Sequence, residues 1–434
     1  MRAGARTAAL EGLIRCRRDG AWSGAAMDAI IKKYSLDRRE AALASRLCLG
    51  VLQNETLCDY YIDSFCNSKL EPVVRDILRL GTYQILFLDR IPAHAAVSES
   101  VELCRAKGHF RAGGLVNAVL RRISEGKLPE IPGEGTAAYL SVRCSHPLWL
   151  CEYMCREKGY AFAETFFTAN NLPAKLSLQV NTLKVGVQDY VRALERAGIG
   201  FREIGPAGCL ELEGGQAASL PGYEEGLFYV QDRAARTAVE IAAPEPDMKV
   251  LDACACPGGK SFAAAVRMQN RGSILSCDIH EKKLGLLESG AKRLGIDIIT
   301  ARAMDARMYD PTLENVFDLV IADVPCSGLG VIVKKPEIRK KEPESLRALP
   351  EIQYAILENL SRYVKPGGVL LYATCTILRR ENEDVAERFL DEHDGFAAEA
   401  FTVGGISAES GMYTFWPHID GTDGFFAARL RKKI

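Results

Sequence analysis

The sequence predicts an α/β fold, with a parallel-sheet domain at the C-terminal end preceded by a small α+β module and an all-helical domain. Three patterns lead to this prediction. Apolar strands alternate with helical patterns from about residue 235 onward, apolar residues recur only at helical spacing up to about residue 125, and short alternating runs lie between. We therefore expect domains at residues 1–130, 140–232 and 233–434.

The all-helical domain is predicted from periodicity alone. Val74, Ile77 and Leu78 share one helix face, and Val116 and Val119 share another. Residues 124–136 are rich in proline and glycine and poor in apolar side chains, which is typical of a linker. In the module that follows, residues 174–182 alternate like a strand and residues 187–197 have a helical pattern.

The C-terminal domain is predicted from five strands separated by helices. The strands are expected at residues 249–252, 273–278, 298–301, 317–323 and 369–374, with helices at 281–294, 352–364 and 380–390. In a parallel α/β sheet, ligands bind beyond the carboxyl ends of the strands. Those ends are therefore where functional residues are expected.

The overall composition narrows the class of protein but names no partner. The net charge of −1 gives no global argument for nucleic-acid binding. The 14 cysteines occur without a signal peptide, which favours reduced thiols and a cytoplasmic location, and no apolar run suggests a membrane span. Two cysteine pairs lack matching ligand pairs, so we expect no metal: Cys151 with Cys155, and Cys254 with Cys256.

The stretch from Asp252 to Lys260 predicts a strand, a glycine loop and a helix start. A Pro257-Gly258-Gly259 turn lets the backbone approach a ligand, and the free N–H groups of the helix start face it. The stretch matches neither the dinucleotide fingerprint nor the nucleoside-triphosphate loop. By itself it is compatible with an ordinary strand–helix turn.

Acidic residues follow the next two strands. Asp278 is placed to hold the ribose hydroxyls of an adenosine-bearing ligand, and Asp305 to accept a hydrogen bond from an adenine amine. Either aspartate alone would be interpreted as a turn or helix cap. Together with the glycine loop they favour an adenosine-type cofactor.

Thiols lie at the ends of the last two strands, Cys326 after Asp323 and Cys375 after the fifth strand. A thiolate beside such a cofactor suggests methylation of cytosine C5. Addition of the thiolate to C6 makes C5 nucleophilic, and a base must then remove the C5 proton so that the thiolate can leave. A carboxylic acid near N3, such as Asp323, would stabilise charge on the ring.

Three motifs resemble those of the S-adenosylmethionine-dependent RNA cytosine-C5 methyltransferases. They are DACACPGGK at residues 252–260, DVPCSG at 323–328 and YATCT at 372–376. The resemblance implies a Rossmann-like methyltransferase domain in which Cys375 attacks C6 and Cys326 assists product release. It implies that Lys260 and Asp323 also reach the target base. The cofactor contacts it implies are Cys254, Ala255, Cys256, Pro257, Gly258, Gly259, Lys260, Asp278, Asp305 and Asp323.

The resemblance extends to the rest of the chain. IPAHAAVSESVELC and LVNAVLRRI resemble a NusB-like RNA-binding domain, SHPLWL and LQVNTLK the accessory module, and residues 418–430 the last hairpin of the family. This combination implies an enzyme that methylates one cytosine of 16S rRNA, free or in its assembly particle. Because nothing in the sequence suggests obligate assembly, we expect a monomer. Cys256 and Ser261 replace the usual alanine and threonine of the cofactor loop.

A basic run at residues 334–341, KKPEIRKK, replaces the usual sequence after the fourth strand. We expect it to contact rRNA phosphates, the alternative being a solvated loop. Two other functions stay open. One is the same chemistry on tRNA or another rRNA site, and the other is a non-catalytic RNA-binding factor with a decayed site.

Overall fold

The computed structural model of the chain describes residues 4–66, 69–212 and 216–434. Contacts divide it into two compact units. Unit 1 comprises Met1–Pro173 and Ile332–Pro343, and unit 2 comprises Ala174–Val331 and Glu344–Ile434. The first three residues of the predicted helical domain lie outside the described residues.

Unit 1 is helical. Its α-helices are α1 (Ala5–Asp19), α2 (Ser23–Tyr34), α3 (Arg38–Gln53), α4 (Glu55–Phe65), α5 (Pro72–Phe87), α6 (Ala93–Ala106), α7 (Gly113–Ser124), α8 (Ala137–Arg143), α9 (Leu148–Lys158) and α10 (Tyr160–Ala169). The apolar faces predicted around Ile77 and Val116 meet in one core with α1 and α3. Helices α8–α10 pack on one another and α8 packs on α4. The predicted linker at residues 124–136 therefore lies inside unit 1, and the division into three domains stays a prediction.

Unit 2 contains two main sheets. Its elements are β1 (Leu176–Val180), α11 (Val187–Arg196), β2 (Phe201–Glu203), β3 (Cys209–Leu212), β4 (Phe228–Val230), α12 (Arg233–Ala242), β5 (Lys249–Asp252), α13 (Gly259–Arg267), β6 (Ser273–Asp278), α14 (Glu281–Leu294), β7 (Ile299–Ala303), β8 (Phe317–Asp323), α15 (Leu349–Ser361), β9 (Val364–Thr374), α16 (Glu383–Glu392), β10 (Phe396–Ala398), β11 (Phe401–Val403), β12 (Ile406–Ala408), β13 (Met412–Phe415), α17 (Pro417–Asp420) and β14 (Phe425–Lys432).

The small sheet is antiparallel, in the order β2-β3-β1-β4. It is fastened to α14 of the same unit by buried polar contacts. Asn181 Nδ2 donates to the carbonyls of Gly226 and Leu294, at 2.9 and 2.8 Å, and Arg293 Nη1 donates to the carbonyl of Tyr223 at 2.6 Å. These bonds satisfy buried carbonyl groups, which explains why the module and the large sheet form one unit.

The large sheet has the order β10-β14-β9-β8-β5-β6-β7, with β13 paired to β14. Strands β5 to β9 are parallel and β14 is antiparallel to β9. Consecutive residues of a strand face the helices on opposite sides of the sheet. In β5, Val250 packs with α12, α13 and α14, whereas Leu251 packs with α15 and α16. Because both faces are covered, strands β5, β6 and β8 are buried along most of their length, whereas the edge strand β7 is partly exposed. The predicted parallel arrangement is confirmed for the five strands β5 to β9, whose carboxyl ends lie at one edge, and the antiparallel β14 makes the whole sheet mixed.

The basic run at residues 334–341 belongs to unit 1. Arg339 is 8% exposed and its guanidinium donates to backbone carbonyls of that unit. Glu337 accepts hydrogen bonds from Ser23, and Lys340 pairs with Glu55 at 2.9 Å. The prediction that this run contacts phosphates is wrong for Arg339, because its guanidinium is buried and already donates to these carbonyls. The sequence of a basic loop does not show which of its cations is buried.

Candidate active site

A tight loop joins β5 to α13. Gly258 has φ +115°, its N–H donates to the Ala255 carbonyl at 2.7 Å, and its own carbonyl accepts from Phe262 N at 2.8 Å. A Cβ at position 258 would collide with the Phe262 ring, so the position requires glycine. The turn directs the first N–H groups of α13, which have no partner within the helix, toward the edge of the sheet.

Asp252 lies behind this loop and is completely buried. Its Oδ2 accepts from Ser261 Oγ at 2.7 Å, and Ser261 Oγ is 2.8 Å from Ser276 Oγ. Burial raises the pKa of Asp252 to about 7. Its Oδ1 has no hydrogen-bond partner among the described residues. A polar ligand group seated at the loop would satisfy this acceptor.

The two other acidic strand ends differ in environment. Asp278 is 8% exposed and its Oδ1 accepts from His280 N at 2.8 Å. Burial, and next the charge of Asp278, raise the pKa of the Cys256 thiol to about 11. Asp305 is more open, and its carboxylate is bound by the Arg307 side chain at 2.6 Å, a hydrogen bond that lowers the pKa of Asp305. An adenine amine at Asp305 would share that carboxylate with Arg307.

An ion pair links the loop to the end of β8. Lys260 Nζ lies 2.6 Å from Asp323 Oδ2, and Lys260 is 9% exposed. Burial opposes the charge on Lys260, but the Asp323 carboxylate outweighs it and raises the Lys260 pKa. The ammonium also lies 5.0 Å from the centre of the Phe425 ring. Lys260 is therefore a fixed cation at the edge of the sheet.

The two thiols predicted from the sequence meet. Cys326 Sγ and Cys375 Sγ are 3.2 Å apart, after the adjacent strands β8 and β9. The Cys375 carbonyl accepts from Gly330 N at 3.0 Å, which holds the two loops together. The hydrogen bond with Cys375, together with burial, raises the pKa of the Cys326 thiol well above its ordinary value. The separation fits a hydrogen bond between the two sulfurs, in which either thiol could be the donor.

Sequence reasoning missed the residues that support this pair. Ser327 Oγ and Thr376 Oγ1, each directly after a cysteine, are 2.6 Å apart, and both are buried. The buried Glu381 accepts from Ser327 N at 2.8 Å and from Gln353 Nε2 at 2.9 Å. The repeated cysteine–hydroxyl pair was a sequence signal for Ser327 and Thr376. Gln353 and Glu381 left none, because each lies in an otherwise ordinary helical pattern.

Of the other predicted loop residues, Ala255 is buried and Cys254 is half-buried. Burial raises the pKa of the Cys254 thiol far above its ordinary value, so it is a neutral part of the loop. Among the described residues no cluster of side chains suited to a metal is found. Nor does any helix of those residues have both the length and the apolarity to cross a membrane.

The residues at the sheet edge fit S-adenosylmethionine. The loop lets backbone N–H groups approach a ligand, Asp252 keeps an unsatisfied buried acceptor, and carboxylates line the strand ends beside it. Acidic groups also suit the positive charge of a sulfonium. Strand order and site together define a Rossmann-like S-adenosylmethionine-dependent methyltransferase domain, with a helical region and a small module before it.

Comparisons with known proteins give the family. Residues 239–431 match the family described as 16S rRNA methyltransferase RsmB/F, residues 3–125 the NusB family, and residues 146–217 the ferredoxin-like domain of RsmF/B-like methyltransferases. The chain is 36% identical to the probable ribosomal RNA small subunit methyltransferase B of Bacillus subtilis, covering 99% of this chain and 98% of that one. The chain belongs to the 16S rRNA methyltransferase RsmB/F family.

Solved structures agree with this assignment. The crystal structure of PH0851 superposes with a TM-score of 0.81 at 28% identity, covering 100% of both chains. A methyltransferase homolog protein from Pyrococcus horikoshii superposes with a TM-score of 0.60 at 26% identity, over 68% of this chain and 97% of that one. The predicted NusB-like domain, Rossmann-like domain and S-adenosylmethionine cofactor are therefore confirmed.

Proposed function

We propose that this rRNA methyltransferase methylates C5 of one cytosine in 16S rRNA through a covalent bond between Cys375 and C6 of the base. One observation carries the proposal. Two thiols lie 3.2 Å apart at adjacent strand ends, at the same sheet edge as the loop whose Lys260 pairs with Asp323. Methylation of an RNA oxygen or exocyclic nitrogen needs no thiol, whereas C5 of cytosine requires covalent activation.

In this proposal the Cys375 thiolate adds to C6, and the electron pair of the C5–C6 double bond becomes available at C5. The protonated Lys260 that Asp323 holds donates a hydrogen bond to the ring near N3 and stabilises the charge that builds there. S-adenosylmethionine supplies an electrophilic methyl group when bound. Cys326, after giving its own proton to solvent, then accepts the C5 proton, directly or through water. The C5–C6 double bond re-forms and the Cys375 thiolate leaves, so the enzyme is regenerated.

The cofactor roles rest on the position of each residue at the sheet edge. The loop residues Cys254 to Lys260 and the aspartates Asp278, Asp305 and Asp323 would hold S-adenosylmethionine. Lys260 would keep Asp323 oriented, because their ion pair spans the gap between α13 and β8. Asp305 is the weakest member of this set, since Arg307 already binds its carboxylate.

The choice of 16S rRNA rests on the NusB match and on the names of the relatives. We propose that the enzyme acts as a monomer in the cytoplasm, on free rRNA or on its assembly particle. A tRNA or another rRNA site is the second candidate, with the same chemistry. A non-catalytic RNA-binding factor is disfavoured, because both thiols and the Lys260–Asp323 pair are intact.

The test uses purified full-length protein, S-adenosylmethionine with a labelled methyl group, and three RNAs in parallel: 16S transcript, small-subunit particles lacking the modification, and bulk tRNA. The expected result is label in 16S rRNA as 5-methylcytosine at a single position. Label only in tRNA would establish the second candidate. Label in none of the RNAs, with cofactor binding intact, would refute the proposal.

A further inference from the structure

Glu381 lies between the two cysteine loops. Its side chain is 0% exposed, and its Oε2 accepts from Ser327 N at 2.8 Å and from Gln353 Nε2 at 2.9 Å. Gln353 Nε2 also donates to the Pro325 carbonyl at 3.0 Å. Glu381 thus holds the residue after Cys326 directly and the residue before it through Gln353.

The next residue, Asn382, holds the other loop. Thr374 Oγ1 donates to Asn382 Oδ1 at 2.5 Å, and Asn382 Nδ2 donates to the Thr376 carbonyl at 3.1 Å. These contacts flank Cys375 on both sides. Because Glu381 and Asn382 are consecutive, one short segment fixes both loops, and the distance between the sulfurs depends on it.

The charge of Glu381 is the unusual part of this arrangement. Both of its hydrogen-bond donors are neutral, and its Oε1 has no partner among the described residues. Burying a carboxylate that has only neutral hydrogen-bond donors costs free energy, and a neutral side chain could hold the two loops equally well. The negative charge of Glu381 is therefore not needed to hold the loops. The hydrogen bond with Cys375 and burial contribute most to the raised pKa of Cys326, and the charge of Glu381 raises that pKa further. The charges of Lys260 and Cys375 attract each other.

We propose that Glu381 is a positioning residue for the thiol pair: its carboxylate fixes the Cys326 loop against the Cys375 loop and keeps their shared proton on Cys326. This inference rests on the proposed covalent mechanism. A proton held on Cys326 leaves Cys375 as the thiolate when the base arrives. Lys260, on the side of Cys375, favours the same distribution. The charges of Glu381 and Lys260 therefore give the two thiols different acidities before substrate binds.

The first test uses the full-length protein without RNA or cofactor. Alkylation by iodoacetamide is followed at each cysteine by peptide mass spectrometry across pH 6–10, because only the thiolate reacts. The expected result is that Cys375 has a lower alkylation midpoint than Cys326. The opposite order would overturn the inference.

The second test removes the charge with Glu381→Gln in a Cys375→Ala background, where Cys326 titrates alone. We expect the Cys326 midpoint to fall by about one pH unit. The matched control is Asp384→Asn, a carboxylate three positions along the chain whose side chain is half exposed and pairs with Arg379. A midpoint that moves no more than in the control would overturn the inference.

If Glu381→Gln does not fold, as judged by circular dichroism, Glu381→Asp takes its place. Aspartate keeps the charge but shortens the reach, so the Cys375-first order should persist while methyl transfer falls. Loss of that order would overturn the inference. Alkylation needs no substrate, so its outcome is independent of whether the RNA or the covalent mechanism has been assigned correctly.

Discussion

Replacing Arg339 by methionine is expected to destabilise unit 1 severely. The guanidinium is buried without a carboxylate partner among the described residues, and burial lowers the pKa of Arg339 to about 9, so it remains charged at neutral pH. It donates instead to five oxygens, the carbonyls of Gln53, Cys144, Ser145 and Asn170 and the side chain of Asn171. Methionine fills a similar volume and removes every one of these donors.

The size of the effect follows from the acceptors left behind. A buried acceptor without a donor costs about 1–3 kcal/mol. The variant no longer has to bury a charged guanidinium, and this gain offsets part of the cost of the unsatisfied acceptors. The expected loss in the free energy of unfolding is about 3–5 kcal/mol, as for other buried charged groups that lose their partners. Lys340→Met is the control. Lys340 is 46% exposed and pairs with Glu55, so its loss should cost less than about 1 kcal/mol.

Urea unfolding followed by tryptophan fluorescence measures this difference. Trp149 Nε1 donates to the Lys341 carbonyl at 3.1 Å, and Lys335 lies 5.2 Å from the Trp22 ring centre, so both rings report on the same segment. Arg339→Met should move the urea midpoint of the fluorescence change to clearly lower urea, while Lys340→Met should barely move it. Equal shifts in the two variants would refute the argument that the hydrogen bonds from Arg339 to these carbonyls stabilise unit 1.

Three further predictions concern the site. Lys260→Met leaves Asp323 without its cation and should lower methyl transfer by about 100-fold; near-normal turnover would contradict the role of the pair. Asp252→Asn should raise the free energy of unfolding at pH 8 by about 2–4 kcal/mol and leave it unchanged at pH 4. The folded wild type holds a proton on Asp252 up to about pH 7 that the unfolded chain releases near pH 4, so the wild type loses stability over that range. A variant that keeps the wild-type pH dependence in urea unfolding would contradict this. Gly258→Ala should weaken cofactor binding in calorimetry, because its Cβ collides with Phe262; unchanged affinity would contradict the fit of the loop.

The sequence predicted the elements of the catalytic sheet well, because fully buried parallel strands are apolar runs with clear ends. Strands β5, β6 and β8 begin and end where expected. β9 begins at Val364, earlier than predicted, because the Pro366 turn is included in the strand. Since the carboxyl ends of parallel strands share an edge, the polar residues at those ends could be assigned to one site from the sequence alone.

What the sequence could not predict depends on contacts between distant residues. The burial of Arg339 needs carbonyls from residues 53, 144, 145 and 170, which no local pattern connects. The role of Glu381 has the same origin, since its acceptor bonds reach back to Ser327 and Gln353. Asp305 was predicted from its position after a strand. The sequence did not show that Arg307 binds the Asp305 carboxylate and would compete with an adenine amine for it, because that contact depends on the conformation of the Arg307 side chain.

The most direct test of the central claim is to mix Cys326→Ala protein with S-adenosylmethionine and 16S RNA and to run a denaturing gel. Without the second thiol, attack by Cys375 should proceed and release should stall, so a slow-migrating protein–RNA band is expected. Cys375→Ala should give neither band nor product. A band with Cys375→Ala instead would reverse the roles of the two thiols, and no band from either variant, with methylation by the wild type intact, would contradict the covalent mechanism.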